Sequence, residues 1–236
     1  MRPRMKGKRI YIILIAALII ASLILALAIR RGFRRFTLTD GAISQFSVFT
    51  DARYDPGVLD LSGADLLAAA DLVVLVEPTD ERVIRNGYIL TKAYVTETLV
   101  SDGVAGAGDA VYLYEPTAAN LYEGNESILT YGTLNLMQQG TEYLALLKPF
   151  DQGEYLEYDE IDVATYVLVN ELFGMYPYPF DPADSLLNGE TPAGAEPVLY
   201  KDVRGIPCLF ADAALEEAYC EKYAAILQNL SLSAPP

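Results

Sequence analysis

The chain has 236 residues, a formal net charge of −15 and no histidine. The lack of histidine excludes Ser-His-Asp and Cys-His catalysis in their usual forms, and it excludes histidine-containing zinc sites. Nine of the 17 basic residues lie in the first 35 positions, so positions 36 to 236 hold 8 basic and 32 acidic residues, a net charge of −24. Such a region repels phosphate backbones, and we expect no nucleic-acid partner.

Residues 10 to 29 form an uninterrupted apolar run, IYIILIAALIIASLILALAI. At about 1.5 Å per residue, a helix of this length spans the roughly 30 Å hydrocarbon core of a bilayer. The pattern predicts a single-pass anchor in the cell membrane, preceded by a basic cytoplasmic tail at 1 to 9. Basic side chains suited to headgroup depth flank the run on both sides: Arg2, Arg4, Lys6, Lys8, Arg9, Arg30, Arg31, Arg34 and Arg35.

Two properties of this segment stay open. Five basic residues precede the run and four follow it, so the orientation with the N-terminus inside rests on the terminal amine and the short tail. Ala26-Leu27-Ala28 fits a signal-peptidase cleavage pattern, which makes a cleaved signal peptide the alternative. We favour an uncleaved signal-anchor with the acidic region outside the cytoplasm. The run is long for a signal peptide, and cleavage would leave Arg30 and Arg31 almost at the new N-terminus.

A juxtamembrane lead-in at 30 to 58 precedes the first clear pattern. LDLSGADLLAAADLVVLVEPT, from Leu59, predicts a short helix at 61 to 70 that runs into a buried strand. Asn86-Gly87 predicts a turn, the glycine-rich stretch at 101 to 109 predicts a hairpin loop, and Pro116 is expected to end a strand. Strands joined by turns favour an antiparallel sheet or barrel, with strands at 71 to 78, 88 to 100, 110 to 116 and 140 to 150.

The strand motifs ADLVVLV, YILTKAYVTETLVSDG, AVYLYEP and GTEYLALLKPF carry a resemblance. They resemble the OB-like barrel of tissue-inhibitor-of-metalloproteinase and netrin-type modules and, more closely, uncharacterised secreted or anchored envelope proteins of Gram-positive bacteria. The resemblance covers residues 59 to 150 and implies an OB-like antiparallel β-barrel, to which we assign residues 59 to 160. The N-terminal cysteine with which metalloproteinase inhibitors chelate the metal is missing, so inhibition does not carry over.

Residues 161 to 236 form a predicted extension, with a loop at 181 to 197 and a helix at 211 to 230. Asp212 suits the N-cap of that helix. A stripe of apolar and aromatic residues falls on one helix face and is expected to pack against the barrel: Leu215, Tyr219, Tyr223, Ile226 and Leu230.

Few residues carry candidate chemistry. Cys208 and Cys220 can pair outside the cytoplasm, and two separate buried thiols are the alternative. Gly103, Gly106 and Gly108 lack the spacing of a dinucleotide-binding loop. We predict no cofactor, no metal and no catalytic residue. One acidic cluster offers Ca²⁺ ligands but lacks the spacing of a calcium-binding loop, so a solvated acidic face is favoured: Glu154, Glu157, Asp159, Glu160 and Asp162.

The sequence therefore predicts a mainly β protein with helices: an N-terminal transmembrane helix, an external OB-like antiparallel β-barrel and a C-terminal helix. We expect a membrane-anchored extracytoplasmic binding or interaction module without catalytic activity. Its predicted partners are the lipid bilayer and an envelope protein with a neutral or basic surface. The alternative is a carboxylate-dependent hydrolase of cell-envelope or extracellular polymers, because 32 acidic residues offer many carboxylate pairs. A few exposed tyrosines are also candidates for a peptide-binding surface.

Overall fold

The computed structural model describes residues 15, 17–26, 38–51, 53–85, 87–101, 103–122, 125–150, 164–188 and 197–232. The chain divides into two units, Met1–Thr37 and Leu38–Pro236. In the first unit the described residues are helical. No helix among the described residues is both long enough and apolar enough to cross a membrane. The nine flanking basic residues and both ends of the run at 10 to 29 lie outside the described residues, so the anchor stays a prediction.

The second unit is mainly β. Its α-helices are α1 (Asp40–Ile43), α2 (Gly63–Ala69), α3 (Tyr200–Val203) and α4 (Ala213–Asn229), with 3₁₀ turns at Pro56–Asp60 and Pro182–Asp184. Its strands are β1 (Ser47–Thr50), β2 (Leu72–Arg85), β3 (Tyr88–Val100), β4 (Ala110–Asn120), β5 (Ser127–Thr130), β6 (Glu142–Pro149), β7 (Thr165–Leu168), β8 (Met175–Tyr178), β9 (Ser185–Leu187), β10 (Val198–Leu199) and β11 (Cys208–Phe210).

Nine of these strands form one sheet, in the order β10-β1-β5-β4-β3-β2-β6-β7, with β8 paired to β6. An additional parallel pairing joins β4 to β7, at Tyr112 with Thr165 and at Leu113 with Tyr166. Five strands are therefore paired in a circuit that returns to its first strand, in the order β2–β3–β4–β7–β6–β2. Strands from the predicted lead-in, barrel and extension all belong to this sheet, and β9 and β11 form a separate parallel pair.

The hydrophobic run predicted as a buried strand belongs to one strand of this circuit, β2. Leu72–Val76 is buried and pairs with β3 on one side and β6 on the other. Such a continuous apolar run is what a strand covered on both faces requires. The predicted strand is confirmed but is longer than expected, because a register irregularity between Pro78 and Arg82 lets β2 continue to Arg85. Gly87, with φ +87°, makes the predicted turn into β3, whose bounds match the prediction.

The prediction that Pro116 ends its strand is wrong. β4 continues through this residue to Asn120. Its pairing with β3 shifts register between Tyr88 and Leu90, opposite this part of β4, so the ladder is already irregular where the missing proline N–H would fall. The carbonyl oxygen of Pro116 still accepts a hydrogen bond of 3.0 Å from the N–H of Tyr131. Between the predicted strands at 110 to 116 and 140 to 150 lies β5, which extends the sheet.

Capping side chains in the sequence explain where the two longer helices, α2 and α4, begin. Ser62 and Asp65 form a reciprocal capping box at the start of α2. Asp212 caps α4 as predicted, with its Oδ1 accepting a 2.8 Å hydrogen bond from the N–H of Leu215. A Cβ on Gly63 would lie 2.9 Å from the Cβ of Ala225, so the lack of a side chain permits the close approach of α2 to α4.

Candidate functional site

A groove of about 300 Å³ opens on the second unit where β4 and β7 separate. Among the described residues the two strands share two residue pairs, and β7 then continues beside β6 alone. The residues that follow these pairs line the groove, together with the end of β2, the start of β3, the residue after β6 and Glu171: Arg85, Tyr88, Tyr114, Glu115, Pro116, Phe150, Val167, Leu168 and Glu171. The opening is therefore built largely on strands, which hold its side chains in place.

Four aromatic rings form a continuous row along this surface. The ring of Tyr114 lies 4.8 Å from that of Phe150 and 6.5 Å from that of Tyr88, measured between centroids. Tyr88 in turn stacks on Tyr131 at 6.1 Å. These separations fall in the range where aromatic rings attract one another. We call Phe150, Tyr114, Tyr88 and Tyr131 the aromatic row. Tyr88 is 38% exposed, so a ligand can reach the row from solvent.

A second cavity of about 300 Å³ adjoins the groove and contains Tyr131. Glu171 lines both cavities, so this residue lies where they meet. The lining of the second cavity also includes Asp51, Arg53 and Tyr54. The aromatic row thus runs from one cavity into the other, which gives the combined surface an elongated form.

Two carboxylates, those of Glu171 and Asp51, act on Tyr131. Burial, then the neighbouring Tyr88, and then the carboxylates of Glu171 and Asp51 raise the pKa of the Tyr131 hydroxyl. Asp51 accepts two 2.9 Å hydrogen bonds from the guanidinium of Arg53, which lower its own pKa. Glu171 is exposed and has no ion-pair partner among the described residues. A cationic group from a ligand can therefore reach a solvated carboxylate beside stacked aromatic faces.

Glu115 contributes to the groove wall, but its carboxylate faces inward. The residue is 1% exposed. Its Oε1 accepts a hydrogen bond from the hydroxyl of Thr91, and its Oε2 accepts one of 2.7 Å from the N–H of Met137. Burial raises the pKa of Glu115, although Arg82 and these hydrogen bonds oppose the change. A general acid or base must lie within hydrogen-bond reach of its substrate, and a carboxylate with both oxygens held inside the fold does not.

Arg82 is the buried cation of this internal network. It is 3% exposed, and its Nη1 lies 2.6 Å from Oδ1 of Asp40. Its Nη2 donates to the carbonyl of Met137, and its Nε lies 3.9 Å from Oε1 of Glu115. Arg204 reaches the other oxygen of Asp40 at 3.2 Å. A buried charge is tolerated when it is paired and hydrogen-bonded, so we assign this network a structural role.

Cys208 and Cys220, the predicted site residues that the structure describes, do not line the groove. The nine basic flanking residues and the acidic cluster at 154 to 162 lie outside the described residues. Cys208 and Cys220 are free thiols in the structure, and the bridge between them stays a prediction. The described residues contain no group of three or more Cys, Asp or Glu side chains arranged to hold a metal ion.

The aromatic row was missed by sequence reasoning. The only signal available was the frequency of tyrosine, which suggested that a few exposed rings form a peptide-binding surface. That signal does not say which tyrosines are exposed together. Tyr88, Tyr114, Tyr131 and Phe150 belong to four separate parts of the chain. They meet only once the register of β3 on β4 and the return of β7 are known.

The sequence was also compared with known proteins. It matches no protein-family model, and no curated protein matches it. Residue chemistry and site geometry therefore carry the functional conclusion.

Proposed function

We propose that this protein is a membrane-anchored, extracytoplasmic binding module, and that the groove with its aromatic row binds a polypeptide segment of an envelope protein. The observation that carries the proposal is the continuous row of four rings across two adjoining cavities. Aromatic side chains supply large contact areas at low conformational cost, and they are enriched at the centres of protein interfaces.

The strand circuit supports an OB-like barrel as the scaffold. An OB-fold is a five-stranded, partly open barrel that binds ligands on the face of its second and third strands. Five strands close the circuit here, and β3 and β4 are the second and third of them in chain order. Tyr88 and Tyr114 lie on these two strands. This step is an analogy between folds, and the ligand itself follows from the chemistry of the groove.

Charge and chemistry indicate a segment with apolar and basic side chains. Positions 36 to 236 carry a net charge of −24, which disfavours acidic partners. Val167, Leu168 and Pro116 give the groove apolar walls for an aliphatic or aromatic side chain. Glu171, between the two cavities, suits a lysine or arginine placed next to that side chain.

The anchor and the location belong to the same proposal. The apolar run at 10 to 29 with its basic flanks supports a single-pass helix with the N-terminus inside. An anchored module of this kind presents its groove to proteins at the extracytoplasmic surface of the cell membrane. Tethering confines both partners to one surface, so modest affinity is sufficient for association.

The proposal is tested by selecting peptides on the protein itself. Full-length protein in detergent is panned against a random dodecapeptide library, and the enriched peptides are measured by fluorescence anisotropy. We expect peptides that combine lysine or arginine with aromatic or aliphatic residues. Tyr88→Ala should weaken their binding by about tenfold or more, the scale of an aromatic anchor, and Glu171→Gln should weaken it less.

Matched controls come from β3, away from the groove. Tyr94 is 49% exposed and Glu97 is also exposed, so Tyr94→Ala and Glu97→Gln remove the same groups at sites outside both cavities. These variants should bind the peptides as the unmodified protein does. Enrichment of acidic peptides, or equal binding by the Tyr88→Ala and Tyr94→Ala variants, would contradict the proposal.

A further inference from the structure

A separate cavity of about 660 Å³ lies on the outer side of β1, β5 and the end of β4. The strand register places Ser47 beside Ser127, and Ser127 beside Asn120, so three small polar side chains form one row across the sheet. The intervening residues Val48 and Ile128 face the other way and are buried. We call this polar row and its rims the trough.

Two exposed aromatic rings line the same trough. Phe49 on β1 is 43% exposed, and Tyr122, just after β4, is 79% exposed. Neither ring makes an aromatic contact with another residue that the structure describes. Leu121, beside Tyr122, is also 38% exposed. Exposed aromatic rings beside a polar floor suit a ligand with both apolar and polar faces.

The polar lining is rich in amides and poor in charge. Gln45, Asn125 and Glu126 complete the rims with Asn120. Asn120 fixes the turn, because its Nδ2 donates to the carbonyl of Asn125 at 3.2 Å and its Oδ1 accepts from the N–H of Tyr122 at 3.2 Å. Amides both donate and accept hydrogen bonds, and carboxylates accept them. Among the lining residues that the structure describes, Glu126 is the one that carries a charge.

We propose that the trough binds a neutral oligosaccharide. A sugar ring has C–H faces that pack on aromatic rings and hydroxyl groups that pair with amides and carboxylates. Phe49 and Tyr122 supply the first kind of contact, and the serine and amide side chains supply the second. Glu126 would repel phosphate-bearing or acidic glycans, and the described lining residues include no lysine or arginine to bind them. The polar floor also argues against an apolar peptide.

This site is independent of the groove proposed above. The trough and the groove share no lining residue. The two sites also differ in chemistry, since the groove has apolar walls and the trough has a floor of hydroxyl and amide groups. A module with both sites can hold a protein partner while it contacts a glycan.

The test is a titration of the full-length protein with three neutral trisaccharides: chitotriose, cellotriose and maltotriose. A zwitterionic alkyl-phosphocholine detergent is used, because glucoside and maltoside detergents carry sugar headgroups that would compete. Isothermal calorimetry should show saturable binding of at least one trisaccharide, with a Kd on the order of 1 mM or tighter. Phe49→Ala and Tyr122→Ala should each weaken that binding about fivefold or more, as loss of a stacking ring does.

Two controls separate this site from other surfaces. Tyr94→Ala removes an exposed tyrosine that lies outside the trough and should leave sugar binding unchanged. Tyr88→Ala alters the groove and should also leave it unchanged. The proposal is overturned if none of the trisaccharides binds at concentrations about tenfold above that Kd. It is equally overturned if binding persists in both trough variants or is lost in the Tyr88→Ala variant instead.

Discussion

The second unit contains two hydrophobic cores that are built from different kinds of sequence. The larger core is formed mainly by long elements, in particular β2, β3, β6 and α4, and includes Tyr176 and Tyr219 in tilted contact at 4.5 Å. The smaller core takes one or two residues from each of several segments, most of them short: Leu38, Ile43, Val48, Ile89, Ile128, Leu136, Tyr200, Val203 and Leu209. Residues 38 to 50, which belong to the predicted juxtamembrane lead-in at 30 to 58, are therefore a structural part of the fold.

β11 shows how the two cores are joined. Cys208 and Phe210 face the larger core, and Leu209 between them faces the smaller one. Such alternation follows from the two-residue period of a strand. One short strand therefore contributes side chains to both cores, and we expect it to couple their unfolding.

The largest effect is expected at Arg82. Arg82→Met removes the buried cation and leaves the carboxylate of Glu115 without its charge partner. Breaking a buried ion pair from one side costs about 3–5 kcal/mol, and the free energy of unfolding of the full-length protein in detergent should fall by this amount in urea titrations. Arg53→Met is the matched surface control, because Arg53 is an exposed partner of Asp51, and it should leave stability unchanged.

The cost of Arg82→Met should depend on pH. Burial already raises the pKa of Glu115, and removal of Arg82 raises it further. The folded state then holds a proton that the unfolded state has released, so stability falls as pH rises from the ordinary glutamate range through the raised pKa of the folded state. The deficit of the Arg82→Met variant should shrink as pH is lowered toward that ordinary range. A deficit that is constant with pH would contradict the assignment of Glu115 as the unpaired group.

The next effect concerns Leu209 and the coupling of the two cores. Leu209→Ala leaves a cavity in the smaller core and should cost about 2–5 kcal/mol. Leu144→Ala is its partner in the larger core, since both side chains are fully buried. Each variant should shift one shared unfolding transition, seen alike by far-ultraviolet circular dichroism and by tyrosine absorbance. A separate early transition in the Leu209→Ala variant would show that the smaller core unfolds alone.

The larger core is the part that sequence patterns predict well. The apolar run Leu72–Val76, the alternating β3 and the stripe on α4 are local signals. β3 and α4 lie within a few residues of their predicted bounds, and β2 begins where predicted but continues to Arg85. The stripe is confirmed, because Leu215, Tyr219, Tyr223 and Ile226 are buried. Local periodicity reports which face of an element is covered, and these elements are long enough to show it.

Such local patterns do not predict the smaller core or the groove. α1 and β1 have four residues each, and β10 has two, so none is long enough to display a period. Pro116 misled the prediction because a proline is tolerated where the ladder is irregular, and that irregularity depends on the partner strand. The aromatic row depends in addition on where β7 joins and leaves β4. Register is a property of pairs of strands, and one strand's sequence does not contain it.

The smallest effect is expected at the two thiols, which lie on neighbouring elements of the larger core. Cys208 is fully buried on β11, with its Sγ 3.9 Å from the hydroxyl of Tyr219, and Cys220 is partly exposed on α4. Burial raises the pKa of both thiols, and the thiolate is the reactive form. Iodoacetamide at mildly alkaline pH should therefore modify Cys220 slowly and Cys208 only after unfolding, with little change in stability.

Thiol titration of denatured, unreduced protein should count two thiols, or one in a Cys220→Ser variant. A count of zero would instead establish the bridge that the sequence allows, for which the chain-entropy estimate is a stabilisation of about 3 kcal/mol.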